Sequence, residues 1–299
     1  MHPVLKSLRI RQWTKNVVIF AGLAYGGGAL DPSRIFATVC AFVAFCLGSS
    51  AVYVINDLLD RDRDKLHPVK RLRPIASGAI SPPQAIVLAV ILAGSGAAIA
   101  ATVGTMLWAL LGYFVLQAFY TPLLKHIVLL DVFCIAAGFS LRVLAGVWAV
   151  EAILSPWLVA CTVQLALFLA LCKRRAEVAN LEETGGASAQ RPILKAYEGP
   201  GTDMMVGMMG AVLLVTYTLY TLLPAKVLAS TTPGLQSRAG APGMVFTLPF
   251  VYYGVLRYLH LVYGHGKGER PERVATMDLP MILAGLGFVS VAAYVIYFH

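Results

Sequence analysis

Four aspartates stand within eight positions in the stretch YVINDLLDRDRDKLHPVKRLRP, residues 53–74, of a chain with only 15 acidic residues among 299. On a helix advancing about 100° per residue, with Asn56 taken as zero, Asp57 lies at about 100°, Asp60 at about 40° and Asp64 at about 80°. Tyr53, at about 60°, joins that face, and Asp62, at about 240°, points away from it. Asn56, Asp57, Asp60 and Asp64 together offer the hard oxygen donors that Mg²⁺ takes, with water and phosphate oxygens completing its octahedron. Without a cation, like charges at these spacings oppose the helix that carries them. The alternative is a solvated helix end whose acids pair with Arg61, Arg63 and Lys65. That alternative leaves unexplained why Asn56 and Asp57 precede Leu58 and Leu59, at a hydrocarbon boundary where charge is costly.

His67, Lys70, Arg71 and Arg73 follow in a stretch punctuated by Pro68 and Pro74. A carboxylate-held cation beside several fixed cations is the arrangement a diphosphate requires, the metal bridging oxygens while Lys and Arg take up the remaining charge. Further candidates lie elsewhere. Arg11 and Lys15, at i and i+4 beside Gln12 and Asn16, are placed to grip a phosphate at a membrane surface, or to orient the first span. Tyr120, Lys125 and Asp131 bracket a short turn, where Lys125 suits a phosphate and Asp131 suits sugar hydroxyls or a second ion. Arg142, about 16 Å along the helix from Asp131 and on its face, is a functional candidate by its intramembrane position, or a structural partner of an acid such as Asp203.

The elements that must position these residues are helices in a membrane. Hydrophobic residues make up 58% and charged residues 13% of the chain, and mean hydropathy is +0.73, outside the range of soluble domains. Nine apolar stretches approach the length of a bilayer's hydrocarbon core, at 16–30, 36–56, 85–103, 105–120, 127–149, 156–172, 204–223, 243–262 and 279–297. The expectation is an all-α integral membrane protein of one domain, residues 1–299. The first stretch follows Lys6, Arg9, Arg11 and Lys15 and reads as a retained helix, with Gly26, Gly27 and Gly28 near its end.

The net charge of +9 raises nucleic acid as a partner, and its distribution argues against that. With nine spans and a cytoplasmic N-terminus, all but four of the 24 Lys and Arg fall on the cytoplasmic side; the exceptions are Arg34, Lys226, Arg238 and the intramembrane Arg142. Function is expected on that side. The connector at 224–242 is nearly uncharged, whereas 173–203 carries charge around Gly185-Gly186. Trp13, Trp108, Trp148 and Trp157 fall near span ends, as interfacial residues do. The five cysteines lie in apolar stretches without metal or disulfide spacing and read as packed small hydrophobes.

NDLLDRDRDKLHPVKRLRPIASG resembles the first aspartate-rich motif, NDxxDxxxD, of the UbiA superfamily of intramembrane prenyltransferases. The resemblance implies a nine-helix bundle with a cytoplasm-facing polar pocket and a Mg²⁺ cofactor. RIRQWTKN at 9–16, YTPLLKHIVLLDVFCIAAGFSLRVLAG at 120–146 and SPWLVACTVQLALFLALCKRRAEV at 155–178 look like the branch of decaprenyl-phosphate phosphoribosyltransferases, and RPERVATMDLP at 270–280 is a weaker echo. Where the superfamily has its second aspartate-rich motif, this chain reads KRRAEVANLEE. Lys173, Arg174 and Glu177 share a face there, at about 0°, 100° and 40°, and Arg175 turns away. Two cations with one acid suit an anionic phosphosugar.

What the branch resemblance implies is transfer of 5-phosphoribose from 5-phosphoribosyl 1-diphosphate to a polyprenyl phosphate, in a multi-pass protein of the bacterial inner membrane that supplies lipid-linked cell-wall precursors. The assigned substrate contacts are Arg11, Lys15, Tyr53, Asn56, Lys70, Arg71, Arg73, Tyr120, Arg142, Lys173, Arg174 and Glu177, with Asp57, Asp60, Asp64, Lys125 and Asp131 at the reaction. Partners are the lipid phosphate and the phosphosugar donor, with no nucleic acid, and self-association into homo-oligomers is left open. An aromatic or quinone prenyltransferase shares the metal face but uses the prenyl chain as electrophile. A lipid-phosphate carrier or transporter would release no diphosphate, and its charges would line a midplane path instead of crowding one end.

Overall fold

The computed structural model describes residues 3–25, 30–183, 192–223, 243–265, 274 and 277–298. Every regular element among them is helical. This follows from the composition, because a segment in hydrocarbon must satisfy each backbone N–H and C=O within itself. Seven helices are long and apolar enough to cross a membrane, and Met106–Tyr120 is apolar but shorter. Gly26-Gly27-Gly28, Gly185-Gly186, the connector at 224–242 with Lys226 and Arg238, and most of the 270–280 motif lie outside the described residues.

Two of the expected elements differ. The stretch at 156–172 belongs to a longer helix, Pro156–Glu183, that runs through the charged segment. Lys, Arg, Ala, Glu and Leu are strong helix formers, so apolar character ends before the helix does. The first stretch is not one α-helix: a 3₁₀ helix, Ile10–Ile19, leads into a short α-helix, Phe20–Tyr25. At three residues per turn, side chains three apart eclipse. Trp13, Asn16 and Ile19 therefore form one row. Trp13 Nε1 donates to Ser50 Oγ at 3.0 Å, Asn16 Nδ2 reaches Ser49 Oγ at 3.4 Å, and Asn16 and Ile19 are fully buried.

The chain forms two compact units. The first comprises Met1–Pro122 and Leu141–Ala152. Its long helix Pro32–Leu59 starts at an Asp31 cap accepting from the Ser33 N–H at 2.9 Å, and packs along Pro82–Ala101, which opens on a Ser81/Gln84 capping box. Phe45, Val54, Met106 and Leu110 fill its core. Close packing rests on small residues, as it must where lipid removes the hydrophobic drive between helices. A Cβ on Gly146 would overlap the Ile19 carbonyl, and one on Gly22 would overlap the backbone of Gly146.

The second unit comprises Leu123–Ser140 and Ile153–His299. In it, Pro156–Glu183 packs on Pro200–Leu222, with Phe168 lying against Gly210, and Leu248–His265 packs on Leu279–Phe298. Val132, Phe168, Leu171 and Tyr197 are among its most buried side chains.

Because both obstacles at Gly146 are backbone atoms that cannot rotate aside, Gly146→Ala should destabilise the first unit by about 3 kcal/mol, the upper range for overpacking. Thermal unfolding in detergent measures this. Gly285→Ala is the control, since a Cβ there meets nothing within 4 Å, and it should leave the midpoint unchanged or raise it slightly, Ala being the better helix former.

Candidate functional site

The aspartate cluster lies in the first unit, where the Pro32–Leu59 helix ends. Asp60, with φ −87° and ψ 4°, caps that helix, and a new one runs Arg61–Lys65. The interruption is slight: Asp60 N–H still reaches the Asn56 carbonyl at 2.9 Å, and Asp64 N–H the Asp60 carbonyl at 2.8 Å. Asp57 and Asp64 therefore keep nearly their helical phase and turn inward, with side chains 4% and 5% exposed. Asp62 faces out, 88% exposed, and accepts from Lys65 at 2.6 Å. That hydrogen bond, with the nearby ammonium charge, holds the Asp62 carboxyl below the usual carboxylate range.

Both buried carboxylates converge on a single nitrogen. Arg73 Nη1 donates to Asp57 Oδ1 at 3.0 Å and to Asp64 Oδ2 at 2.6 Å. Asp57 also accepts from Arg9, whose guanidinium lies 5.0 Å over the Tyr53 ring. Arg9 itself sits in the left-handed region, at φ 50°. Asn56 Oδ1 accepts from Thr121 Oγ1 at 2.8 Å, and Asp60 is half-buried. In this arrangement no three acids, histidines or cysteines among the described residues stand close enough to share one ion. The reason is that Thr121 takes the Asn56 oxygen and two guanidiniums draw in Asp57 and Asp64. The donor set nevertheless suits a hard cation, because two buried carboxylates already meet at one cationic atom. An anion is suited too: Arg61 Nε, beside Asp60, is buried and finds no acceptor among the described residues.

Lys70 is half-buried and Arg71 exposed, in a short turn ordered by His67 Nδ1, which accepts the Val69 and Lys70 N–H groups at 3.1 and 3.2 Å. Tyr120 is the last, half-buried residue of its helix. The expected helical pairing of Arg11 with Lys15 fails, since a 3₁₀ winding sets residues four apart about 120° from each other. Arg11 is exposed and Lys15 half-buried. For Arg142 the sequence offered an acid as structural partner, and the structure places it on the Asn16 amide. It donates through Nε to Asn16 Oδ1 at 2.7 Å and lies 4.7 Å from the Tyr113 ring centroid. Asp203 instead accepts from Arg175 at 2.8 Å and from Tyr263 at 2.9 Å, because Arg175 leaves the Lys173 face of its helix.

In the second unit Lys125 is half-buried in the Leu124–His126 turn. Asp131, assigned from sequence to sugar hydroxyls or a second ion, has no exposed surface. Its Oδ2 accepts from Arg174 Nε at 2.7 Å and its Oδ1 from the Tyr197 hydroxyl. Arg174, assigned to the phosphosugar, is 1% exposed and also bonds Glu177, while Lys173 faces Glu177 at 3.8 Å. Sequence reasoning missed Arg9, Tyr197 and Thr121. Arg9 stood in the quoted RIRQWTKN stretch and Thr121 in the quoted stretch at 120–146, which were usable signals; Tyr197 carried none.

Residues 16–277 match the UbiA prenyltransferase family. The chain is 32% identical over 299 residues to the decaprenyl-phosphate phosphoribosyltransferase of Corynebacterium glutamicum, covering 98% of this chain and 86% of that one. It is also 32% identical to that of Mycolicibacterium smegmatis, across 99% and 92% of the two chains. A solved UbiA homolog from Archaeoglobus fulgidus bound to DMAPP and Mg²⁺ shares the fold, with a TM-score of 0.70 over 99% of each chain at 18% identity. The fold and the aspartate cluster define a membrane-embedded helical protein of the prenyltransferase type. The chain belongs to the UbiA prenyltransferase family.

Arg73→Gln removes the group that two buried carboxylates share, so it should cost about 2 kcal/mol, moderated because Arg9 stays on Asp57. Thermal unfolding measures it. Lys65→Gln, at the solvent-exposed Asp62 pair, should leave the midpoint unchanged.

Proposed function

We propose that the protein transfers 5-phosphoribose from 5-phosphoribosyl 1-diphosphate to a decaprenyl-type polyprenyl phosphate and releases diphosphate. The observation that carries this reading is the similarity, over nearly the whole chain, to two decaprenyl-phosphate phosphoribosyltransferases. The Lys173/Arg174/Glu177 set, in place of a second aspartate motif, favours it over aromatic prenylation. The family match crosses both compact units, which supports treating residues 1–299 as one functional domain.

In the reaction, the anomeric C1–O bond to diphosphate breaks, its electron pair leaves with the diphosphate, and a lipid phosphate oxygen forms the new bond to C1. The acceptor is anionic at neutral pH, so positioning and charge neutralisation are the main tasks. Asp57, Asp60 and Asp64, with Asn56, would hold Mg²⁺, which supplies Lewis-acid stabilisation of the leaving group when bound. Arg73, Lys70 and Arg71 neutralise diphosphate oxygens, and Tyr53 supports Arg9 through its ring face. Arg11 and Lys15 serve the lipid phosphate at the membrane surface, with Tyr120 and Lys125 at the next turn. Arg142 fixes the N-terminal segment through Asn16, and Lys173 takes the phosphate of the ribose.

The Lys and Arg distribution supports nine membrane-crossing segments, the 3₁₀ stretch and Met106–Tyr120 included, with the N-terminus and a polar pocket facing the cytoplasm of a bacterial inner membrane.

Membranes containing the protein, incubated with labelled 5-phosphoribosyl 1-diphosphate and polyprenyl phosphate, should form lipid-linked label. Absence of label overturns the proposal. Asp57→Asn, Asp60→Asn and Asp64→Asn should each lower transfer by about 100-fold or more, whereas Asp62→Asn should stay within about twofold. Chelation should abolish transfer, and added Mg²⁺ should restore it.

A further inference from the structure

The buried ion pair of the second unit continues outward as a chain of contacts. At its foot the Tyr197 hydroxyl accepts the Leu129 N–H at 3.0 Å and donates to Asp131 Oδ1. Asp131 Oδ2 receives Arg174 Nε at 2.7 Å, and Arg174 Nη1 reaches Glu177 Oε2 at 2.5 Å. The other oxygen, Glu177 Oε1, faces the Lys173 ammonium at 3.8 Å. Side-chain exposure rises along the chain, from 0% at Asp131 and 1% at Arg174 to 21% at Glu177 and 34% at Lys173.

A buried pair of this kind is weak evidence of stabilisation, since apolar side chains of similar volume often serve as well. Two features give this one another use. Leu129 is held at φ 66°, a left-handed conformation unfavourable for a branched side chain, and its N–H is fixed by the same Tyr197 oxygen that fixes Asp131. The far end presents the partly exposed side chains of Glu177 and Lys173, with the carboxylate oxygen and the ammonium 3.8 Å apart. A sugar hydroxyl suits the first and a phosphate oxygen the second.

We propose that Tyr197 and Asp131 are positioning residues. They anchor Arg174, and through it aim the Glu177 carboxylate at hydroxyls, and the Lys173 ammonium at the phosphate, of a pentose phosphate. This rests on the phosphoribosyl reading and assigns Asp131 a role behind the substrate contact instead of at it. Burial and the neighbouring Asp131 carboxylate both raise the Tyr197 phenol, so it keeps its proton and stays a donor across the working pH range.

Steady-state kinetics of the full chain in detergent, with labelled 5-phosphoribosyl 1-diphosphate as the varied substrate, test this. Tyr197→Phe should raise the donor KM by about 10-fold and change kcat by less than about twofold, the signature of lost uniform binding. Loss of folded protein would instead lower kcat at unchanged KM. Glu177→Gln should raise KM alike, and the double variant should be no worse than Glu177→Gln alone, because both changes act on one path. Multiplied effects in the double variant, or an unchanged KM in Tyr197→Phe, overturn the inference. Arg174→Lys, which keeps the charge but loses the planar fork, gives the same readout should Tyr197→Phe not fold. Absence of transfer by the unsubstituted protein overturns the phosphoribosyl reading itself, and this inference falls with it.

Discussion

Two carboxylates drawn from water at the end of a membrane-crossing helix must meet positive charge, and the first unit supplies it from chain segments both before and after that helix. Asp57 and Asp64 share Arg73 Nη1, and Asp57 takes Arg9 as well. An uncompensated buried carboxylate would cost several kcal/mol, enough to oppose a fold whose net stability is of the same order. The loop after the helix and the segment before the first span are therefore both tied to the same acids. Lys6 adds to this by donating to the Leu72 carbonyl at 2.7 Å.

The same constraint makes the site suited to chemistry on phosphates. Carboxylates paired with guanidinium groups have their oxygens fixed in position, and carboxylate oxygens are the donors a hard cation takes. Guanidinium groups held by carboxylates are rigid, and their planar forks match phosphate oxygens. Arg61, with a buried Nε lacking an acceptor among the described residues, is a donor in search of an anion. The second unit solves its own version of the problem differently. There one arginine is buried almost completely between Asp131 and Glu177, and the charges of that set that reach solvent belong to Glu177 and Lys173.

Much of the site was legible in the chain because helical phase carries over about two turns. The inward turn of Asp57 and Asp64, the outward turn of Asp62, and the separation of Arg175 from Lys173 and Glu177 all follow from about 100° per residue. The reading failed where the winding changes. Arg11 and Lys15 lie in a 3₁₀ segment, where the three-residue period that aligns Trp13, Asn16 and Ile19 sets those two cations apart. Nor did the sequence show that Arg142 meets Asn16, which lies 126 residues away and carries no charge to betray it.

The pattern of the chain already shows that it is helical and lies in a membrane, since apolar runs of this length leave hydrocarbon as the solvent and a lone segment there must satisfy its own backbone. It also determined which acids share a face, because that is local geometry. Which cations those acids meet, the withdrawal of Asp131 and Arg174 from solvent, and the place of Tyr197 behind them are set by helix packing. Such pairings join residues from distant parts of the chain. They are selected by the packing of whole helices, through contacts such as Gly146 on Ile19, and no spacing along the sequence encodes them.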